Sequence, residues 1–404
     1  MLEVKSLEEA IKIIDGNFKE RSAPEAVSLS DALGRILFED IVSTEFVPGF
    51  DRSTVDGFAV RASDTFGCSD SIPAILDMAN EIKMGESTDV KLQSGRCMAV
   101  PTGGALPEGA DSVVMIEYTE DYKDGTIGIL KPSSPGMNVI FKGDDVTPGK
   151  VVIKKGKVLS PSDIGALAAM GFDKVNVKAN LKVAVISTGD ELVKVSDTPL
   201  EGQMRDVNSA MVSALIRKSG ATPVEYGIIK DDESLLLNTV KDALLKCDAV
   251  VISGGSSVGT KDASVRVIES CGELLLHGLA VKPGKPTILG KAGDKAIVGL
   301  PGHPVAAFFV FEFMLTKLLC VLQGKTEIKR TARAILTESV GANDGRAHFI
   351  GAKLSESGEG LLAEPIRTKS GLITSLSTAD GYFVIPRDCE GYEKGKEIEI
   401  KFFS

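Results

Sequence analysis

The sequence predicts a multidomain chain of α/β and β parts, organised around a central doubly wound α/β domain. Three observations lead there. From Lys182 to Gly324, apolar runs such as 182–187 and 249–253 alternate with amphipathic stretches at 207–218 and 233–246. That is the rhythm of parallel strands buried under helices on both faces. From Asp56 to Val139 the chain consists of short β-prone runs (58–60, 97–100, 112–116) broken by Gly and Pro, the pattern of a small β-rich domain. Beyond Thr326 helical patterning stops, and runs such as 347–350 and 382–385 between Gly turns predict a C-terminal β-barrel-like domain.

The remaining elements follow in order. Ser6 with Glu9 three residues on is a capping box that opens a first helix. A short helix ends at Gly34, and a Pro-containing extended run continues to Phe50. Ser160-Pro161-Ser162-Asp163 combines a capping residue with proline at the first helical position, and the helix it opens closes at Gly171. Packed back on the first helix, it would make one discontinuous α+β linker domain from 1–45 and 146–180. The other predicted domains are 46–145 (small, β-rich), 181–325 (α/β) and 326–404 (C-terminal β).

Composition narrows the function. A chain of 404 residues, 43% of them apolar, exceeds one ordinary core and supports several. A formal net charge of -10 opposes a nucleic-acid surface, which needs clustered Lys and Arg. Cys68, Cys97, Cys247, Cys271, Cys320 and Cys389 form no C-x-x-C pair, so they read as thiols of a reducing compartment. The N-terminus lacks a basic region followed by an apolar run, which makes the cytoplasm the expected location. Glu312 and Lys317 interrupt the apolar window 305–322, so a buried helix is expected there and no membrane span. With three histidines and no tryptophan, Asp and Glu are the expected ligands of a hard metal, Mg²⁺ by default.

The chemistry-bearing motifs fall where strands end, the side on which such sheets bind ligands. Ser187-Thr188-Gly189-Asp190-Glu191-Leu192 follows the first strand, and Asp231-Asp232 the second. In Ser253-Gly254-Gly255-Ser256-Ser257-Val258-Gly259-Thr260-Lys261-Asp262, glycines let backbone N–H groups converge on an anion ahead of a helix N-terminus. It matches neither the P-loop nor the Rossmann spacing. Asp262 reads equally as a charge favoured by the helix dipole or as a metal ligand. Pro283 and Pro286 stiffen the loop that carries Lys282 and Lys285, fixing them for an oxyanion, and Leu300-Pro301-Gly302-His303-Pro304 is a rigid turn into the buried helix. Two further turns, around Asp56 and Thr102, lie outside this sheet.

Taken in order, D-R-S-T-V-D-G-F-A-V (51–60), P-T-G-G-A-L-P-E-G-A-D (101–111), S-T-G-D-E-L (187–192), S-G-G-S-S-V-G-T-K-D (253–262), V-K-P-G-K-P (281–286) and L-P-G-H-P (300–304) closely resemble the molybdopterin molybdenumtransferase family, the MoeA-type proteins and the gephyrin E domain. The resemblance spans essentially the whole chain. It implies an elongated four-domain homodimer in which 181–325 is the pterin- and nucleotide-binding catalytic domain. Such a protein takes adenylylated molybdopterin and molybdate (or tungstate), hydrolyses the adenylate with Mg²⁺ and inserts the metal. It also implies transient contact with the pterin adenylyltransferase and apo-molybdoenzymes. Asp56, Thr102, Asp145, Glu191, Asp231, Asp262, Lys282 and Ser375 are implied to line the site. Two positions depart from the family pattern: His277 stands where a further lysine is common, and His303 where asparagine is.

The mechanism so implied places Mg²⁺ on Glu191 and Asp262. The loop of Gly254, Gly255, Ser256 and Gly259 cradles the adenylate phosphate, and Lys282, Lys285 and Pro301 contribute to substrate binding. The motifs at Asp56 and Thr102 would then face the sheet across a cleft, from the second subunit. Two alternatives stay open: a molybdopterin adenylyltransferase sharing the central fold, and a non-catalytic pterin-binding scaffold.

Overall fold

In the computed structural model the chain forms two compact units, one of residues 1–25, 34–36 and 178–404, the other of 26–33 and 37–177. All residues are described except 1–3, 22, 255–257, 328, 343–344, 359, 368 and 404, and for 258–262 the backbone alone is described.

The larger unit is built on a six-stranded sheet. Its elements are β1 (Lys182–Thr188), α1 (Val207–Lys218), β2 (Thr222–Ile229), α2 (Glu233–Lys246), β3 (Ala249–Gly254), α3 (Val258–Cys271), β4 (Glu273–His277), β5 (Ile288–Ala292), β6 (Lys295–Leu300) and α4 (Pro304–Gln323). The strand order is β2-β1-β3-β6-β5-β4, with β2, β1, β3 and β6 parallel, β5 antiparallel to β6 and β4 antiparallel to β5. That antiparallel edge departs from a wholly parallel sheet because β5 and β6 are joined by a tight turn at Gly293 (φ +62), too short for a crossover. Alternation along β1 shows the double winding. Val183 and Val185 join one core with α1 and α4, while Ala184 and Ile186 join a second with α2 and α3. Each fully buried aliphatic side chain of this kind stabilises the fold by roughly 1.5–3 kcal/mol.

Helix α4 is 20 residues long with mean hydropathy 2.2, long and apolar enough to cross a membrane, yet 83% of that window is buried within the protein. Its cover includes the first helix, Leu7–Asn17, which has the expected Ser6/Glu9 capping box. Ala10, Ile14 and Phe18 enter the α4 core, and Lys317 pairs with Asp15 at 2.7 Å. The first helix therefore packs with the α/β layers, so residues 1–25 leave the discontinuous domain expected from 1–45 and 146–180, while Ala32, Leu37 and Ile41 do share a core with Val146, Leu167 and Val177. The apolar stripe of the first helix meets a continuous apolar surface on α4, whereas Leu167 of the helix Pro161–Ala169 lies in a separate core.

The C-terminal strands β7 (Thr331–Leu336), β8 (Ala347–Ser357), β9 (Gly360–Pro365), β10 (Gly381–Ile385) and β11 (Glu397–Phe402) pair in the closed ring β8-β9-β7-β11-β10-β8, a five-stranded barrel. The short strand Val281–Lys282 adds to β8 in parallel, setting Lys282 opposite His348. Phe309 and Phe313 of α4 pack on Phe349 of β8, with ring centroids 6.2 and 4.3 Å apart.

In the smaller unit a six-stranded sheet runs in the order 112–115, 57–60, 96–100, 74–81, 126–129, 119–121. A separate core combines Ala32, Leu37 and Ile41 with Val146, Ile153, Leu167 and Val177 from far along the chain.

Candidate functional site

Three parallel strands end side by side, and their loops carry the polar groups. Thr188, the last residue of β1, is buried, and its Oγ1 donates to Asp231 Oδ1 at 2.9 Å. The N–H of Asp231, just after β2, donates to Asp190 Oδ1 at 3.3 Å. Glu191 folds back over Gly189, where a Cβ would lie 2.8 Å from Glu191 Oε2. Asp190, Glu191 and Asp231 thus stand on adjoining loops. Among the described residues, no group of three or more His, Cys, Asp or Glu could hold a metal by itself. The donor set still fits Mg²⁺, which is commonly bound by one or two carboxylates together with substrate phosphates.

Gly254 ends β3 with φ +148, and a Cβ there would lie 2.0 Å from the backbone oxygen of Thr188. No other residue fits so close to the neighbouring strand. Gly255 and Ser256, expected in the phosphate cradle, lie outside the described residues. Gly259 and Asp262 fall in the first turns of α3, with their side chains outside the description.

Beside these strand ends a cavity of about 770 Å³ is bounded by the loop 282–286, the turn into α4 and one end of the barrel. Lys282, Lys285, Arg346, Arg367 and Lys369 line it, with His303 and His348, and no Asp or Glu does so among the described residues. Arg367 donates to the Ser339 backbone oxygen at 2.9 Å and pairs with Glu338 at 3.3 Å, which fixes its guanidinium at the rim. Phe309 and Phe349 supply an apolar floor. Gly284 has φ +126, and a Cβ there would lie 2.8 Å from Val310 Cγ2, so the loop carrying both lysines lies flat on α4 only as glycine. In a chain of net charge -10, a cavity lined by this many cationic side chains attracts an anion.

In the smaller unit, Asp56 Oδ1 accepts from the Thr102 N–H at 2.7 Å and from its hydroxyl at 3.0 Å. The Thr102 backbone amide, and then its hydroxyl, hold the Asp56 carboxyl below its ordinary range. Asp145 sits on a different turn, exposed, its N–H donating to the Val47 oxygen at 3.1 Å.

Three family models match in succession: the MoeA N-terminal region (domain I and II) over residues 5–171, a "probable molybdopterin binding domain" over 184–320, and the MoeA C-terminal region (domain IV) over 333–403. The molybdopterin molybdenumtransferase of Bacillus subtilis is 34% identical over 391 residues, covering 95% of this chain and 91% of that protein. The chain belongs to the MoeA family. The Staphylococcus aureus molybdopterin molybdenumtransferase is likewise 34% identical over 377 residues, covering 93% and 90%. A crystal structure of a MoeA protein from Pyrococcus horikoshii superposes with a TM-score of 0.87 at 38% identity, covering 100% of both chains.

Within this MoeA-family chain the expected residues fall into groups. Glu191, Asp231 and Gly254 gather at the strand ends, Lys282, Lys285 and Pro301 line the cavity, and Asp56 bonds Thr102. Ser375 does not line the cavity: its hydroxyl donates to the Leu372 oxygen at 2.6 Å, within its own helical turn, and Ser370 lines the wall instead. His277 does not line it either; it pairs with Ile288 in the sheet. Sequence patterning passes over Arg346, His348, Arg367 and Lys369. The spacing i, i+2 within Arg346-Ala347-His348 and within Arg367-Thr368-Lys369 is the signal that points to them, because alternate residues of extended chain share one side.

Proposed function

We propose that the protein inserts molybdenum, supplied as molybdate, into adenylylated molybdopterin with release of AMP, the last step in making the molybdenum cofactor. One observation carries this reading: a phosphate-type strand end, bearing Gly254, Glu191 and Asp231, adjoins a cationic cavity that no Asp or Glu lines among the described residues. An enzyme joining an adenylate to an oxyanion needs both.

The anhydride bond joining AMP to the pterin phosphate is cleaved by water, with AMP as the leaving group. From the resemblance, the glycine-rich loop that follows Gly254 would supply donors to the charge developing on the phosphate oxygens. Glu191 and, from the resemblance, Asp262 would hold Mg²⁺, which when bound supplies neutralisation of phosphate charge. Thr188 keeps the Asp231 carboxylate turned toward the same loops. Lys282 and Lys285, with Arg346 and Arg367, hold molybdate while the two pterin thiols replace two of its four oxygens, which leave as two waters with the thiol protons and two more from solvent.

The same reading makes the protein a cytoplasmic homodimer that receives its substrate from the pterin adenylyltransferase and passes product to apo-molybdoenzymes. Its free thiols, buried or half-buried, suit a reducing compartment. The deciding assay incubates the purified chain with adenylylated molybdopterin, Mg²⁺ and molybdate or tungstate. It follows AMP release and reconstitution of a cofactor-dependent apoenzyme. Molybdate-dependent AMP release is expected; no release with either oxyanion overturns the proposal. ATP-dependent adenylylation of molybdopterin in its place would identify an adenylyltransferase.

A further inference from the structure

Ser253 lies at the end of β3, immediately before Gly254, and Gly302 lies in the turn between Pro301 and His303 that walls the cationic cavity. The two are far apart in sequence, and a single side chain joins them. Asn208, in the first turn of α1, donates from Nδ2 to Ser253 Oγ at 2.8 Å and to the Gly302 backbone oxygen at 2.9 Å. Because Gly302 offers only an acceptor, the amide nitrogen must face it, which fixes the side-chain orientation. Asn208 is only 8% exposed, and its Oδ1 has no hydrogen-bond partner among the described residues. A buried, unsatisfied acceptor opposes folding. The carboxamide is therefore an expensive way to pack the helix, and what it provides in return is the pair of donated bonds.

We propose that Asn208 is a positioning residue for the reaction: it holds the root of the glycine-rich loop and the wall of the cationic cavity at one spacing. The inference rests on the proposed function, in which the first holds the adenylate phosphate and the second the oxyanion. Asn208 touches neither ligand; it acts through Ser253 and Gly302. The neighbouring cap has a separate task. Asp206 Oδ1 accepts from the Ser209 N–H at 3.0 Å, a bond internal to the helix terminus.

The test compares wild type, Asn208→Ala, Asn208→Asp and Asp206→Ala as full-length proteins, titrating AMP and molybdate separately by calorimetry and recording thermal melting. Asn208→Ala should bind both ligands about tenfold more weakly, the scale of one or two lost hydrogen bonds, well below its melting temperature. Asn208→Asp should bind AMP more weakly still at neutral pH, since a carboxylate faces the Gly302 oxygen. It should regain affinity near pH 4, where a protonated carboxyl donates again. Asp206→Ala should melt earlier yet bind both ligands as wild type does. Should Asn208→Ala fail to fold, Ser253→Ala removes one of the two bonds and should weaken both ligands by a smaller factor. Unchanged affinities in the Asn208→Ala protein, or in Ser253→Ala where that variant replaces it, overturn the inference alone. Equal weakening in Asp206→Ala also overturns it, by assigning the effect to the helix. Wild-type protein that binds neither AMP nor molybdate removes the proposed function and this inference with it.

Discussion

The Asp56 carboxylate and Thr102 meet through two hydrogen bonds, 2.7 Å from the Thr102 N–H and 3.0 Å from its hydroxyl, both to the same oxygen. Donors stabilise the ionised form, so the folded pKa lies below the ordinary value of about 3.9. This pair's contribution to stability is therefore present above that ordinary value and lost as pH falls through the lower folded value. At neutral pH Asp56 acts as an acceptor or ligand, never as an acid. Carboxyl carbon NMR should show Asp56 titrating below the ordinary aspartate value. Thr102→Val, which keeps the N–H and loses the hydroxyl, should restore only the smaller part of the shift. A return to the ordinary midpoint in that variant would contradict the ranking of the two bonds.

A second expectation concerns Gly284. Adding a methyl group strains a residue at φ +126 and drives a Cβ to within 2.8 Å of Val310 Cγ2. Gly284→Ala should lower stability by roughly 1–3 kcal/mol in urea unfolding and weaken oxyanion binding, because Lys282 and Lys285 ride on the same loop. Gly149, which has φ +85 but nothing within 4 Å of a Cβ, makes a control for strain without collision.

The cationic cavity predicts a steep dependence on charge and salt. Lys282→Ala and Arg346→Ala should each weaken tungstate binding by about tenfold or more. Raising ionic strength from 0.05 to 0.5 M should weaken the wild type more than either variant. Binding indifferent to salt would remove these side chains from oxyanion recognition.

Ser370 and Ser375, five residues apart, have different surroundings. Ser370 lines the cavity, and the Ser375 hydroxyl is spent on the Leu372 oxygen at 2.6 Å. Ser370→Ala should reduce tungstate affinity and Ser375→Ala should leave it unchanged, as read by calorimetry. The reverse pattern would reinstate Ser375.

These cases show where the sequence could be read and where it could not. The helix patterns at 207–218 and 233–246 and the capping residues Ser6 and Ser160 are local signals, and the structure reproduces them. The strand-end motifs were visible because glycine and carboxylate residues follow apolar runs directly. The first helix was misplaced because its apolar stripe states that it packs, not on what. The far wall of the cavity was missed for a related reason. Arg346 and Arg367 approach Lys282 only because the barrel closes and its strand β8 pairs with Val281–Lys282, a long-range event that no local window contains.

The last prediction concerns the strand-end carboxylates. Asp231 Oδ1 accepts from the buried Thr188 hydroxyl at 2.9 Å, while Glu191 curls over Gly189 without an equivalent anchor in β1. If both serve the phosphate-bound Mg²⁺ of the proposed reaction, removing either charge should raise the Mg²⁺ concentration needed for half-maximal AMP release. Glu191→Gln and Asp231→Asn should each do so by about tenfold or more, the scale of lost ligand or supporting contacts. Thr188→Val keeps both charges and frees only the orientation of Asp231, so its shift should be smaller and should appear with Asp231 intact but vanish in the Asp231→Asn background. Binding of Mn²⁺ in the presence of AMP, followed by electron paramagnetic resonance, gives the same ordering without turnover. Equal Mn²⁺ affinity in all four proteins would place the metal elsewhere and leave Thr188 holding Asp231 for phosphate positioning alone.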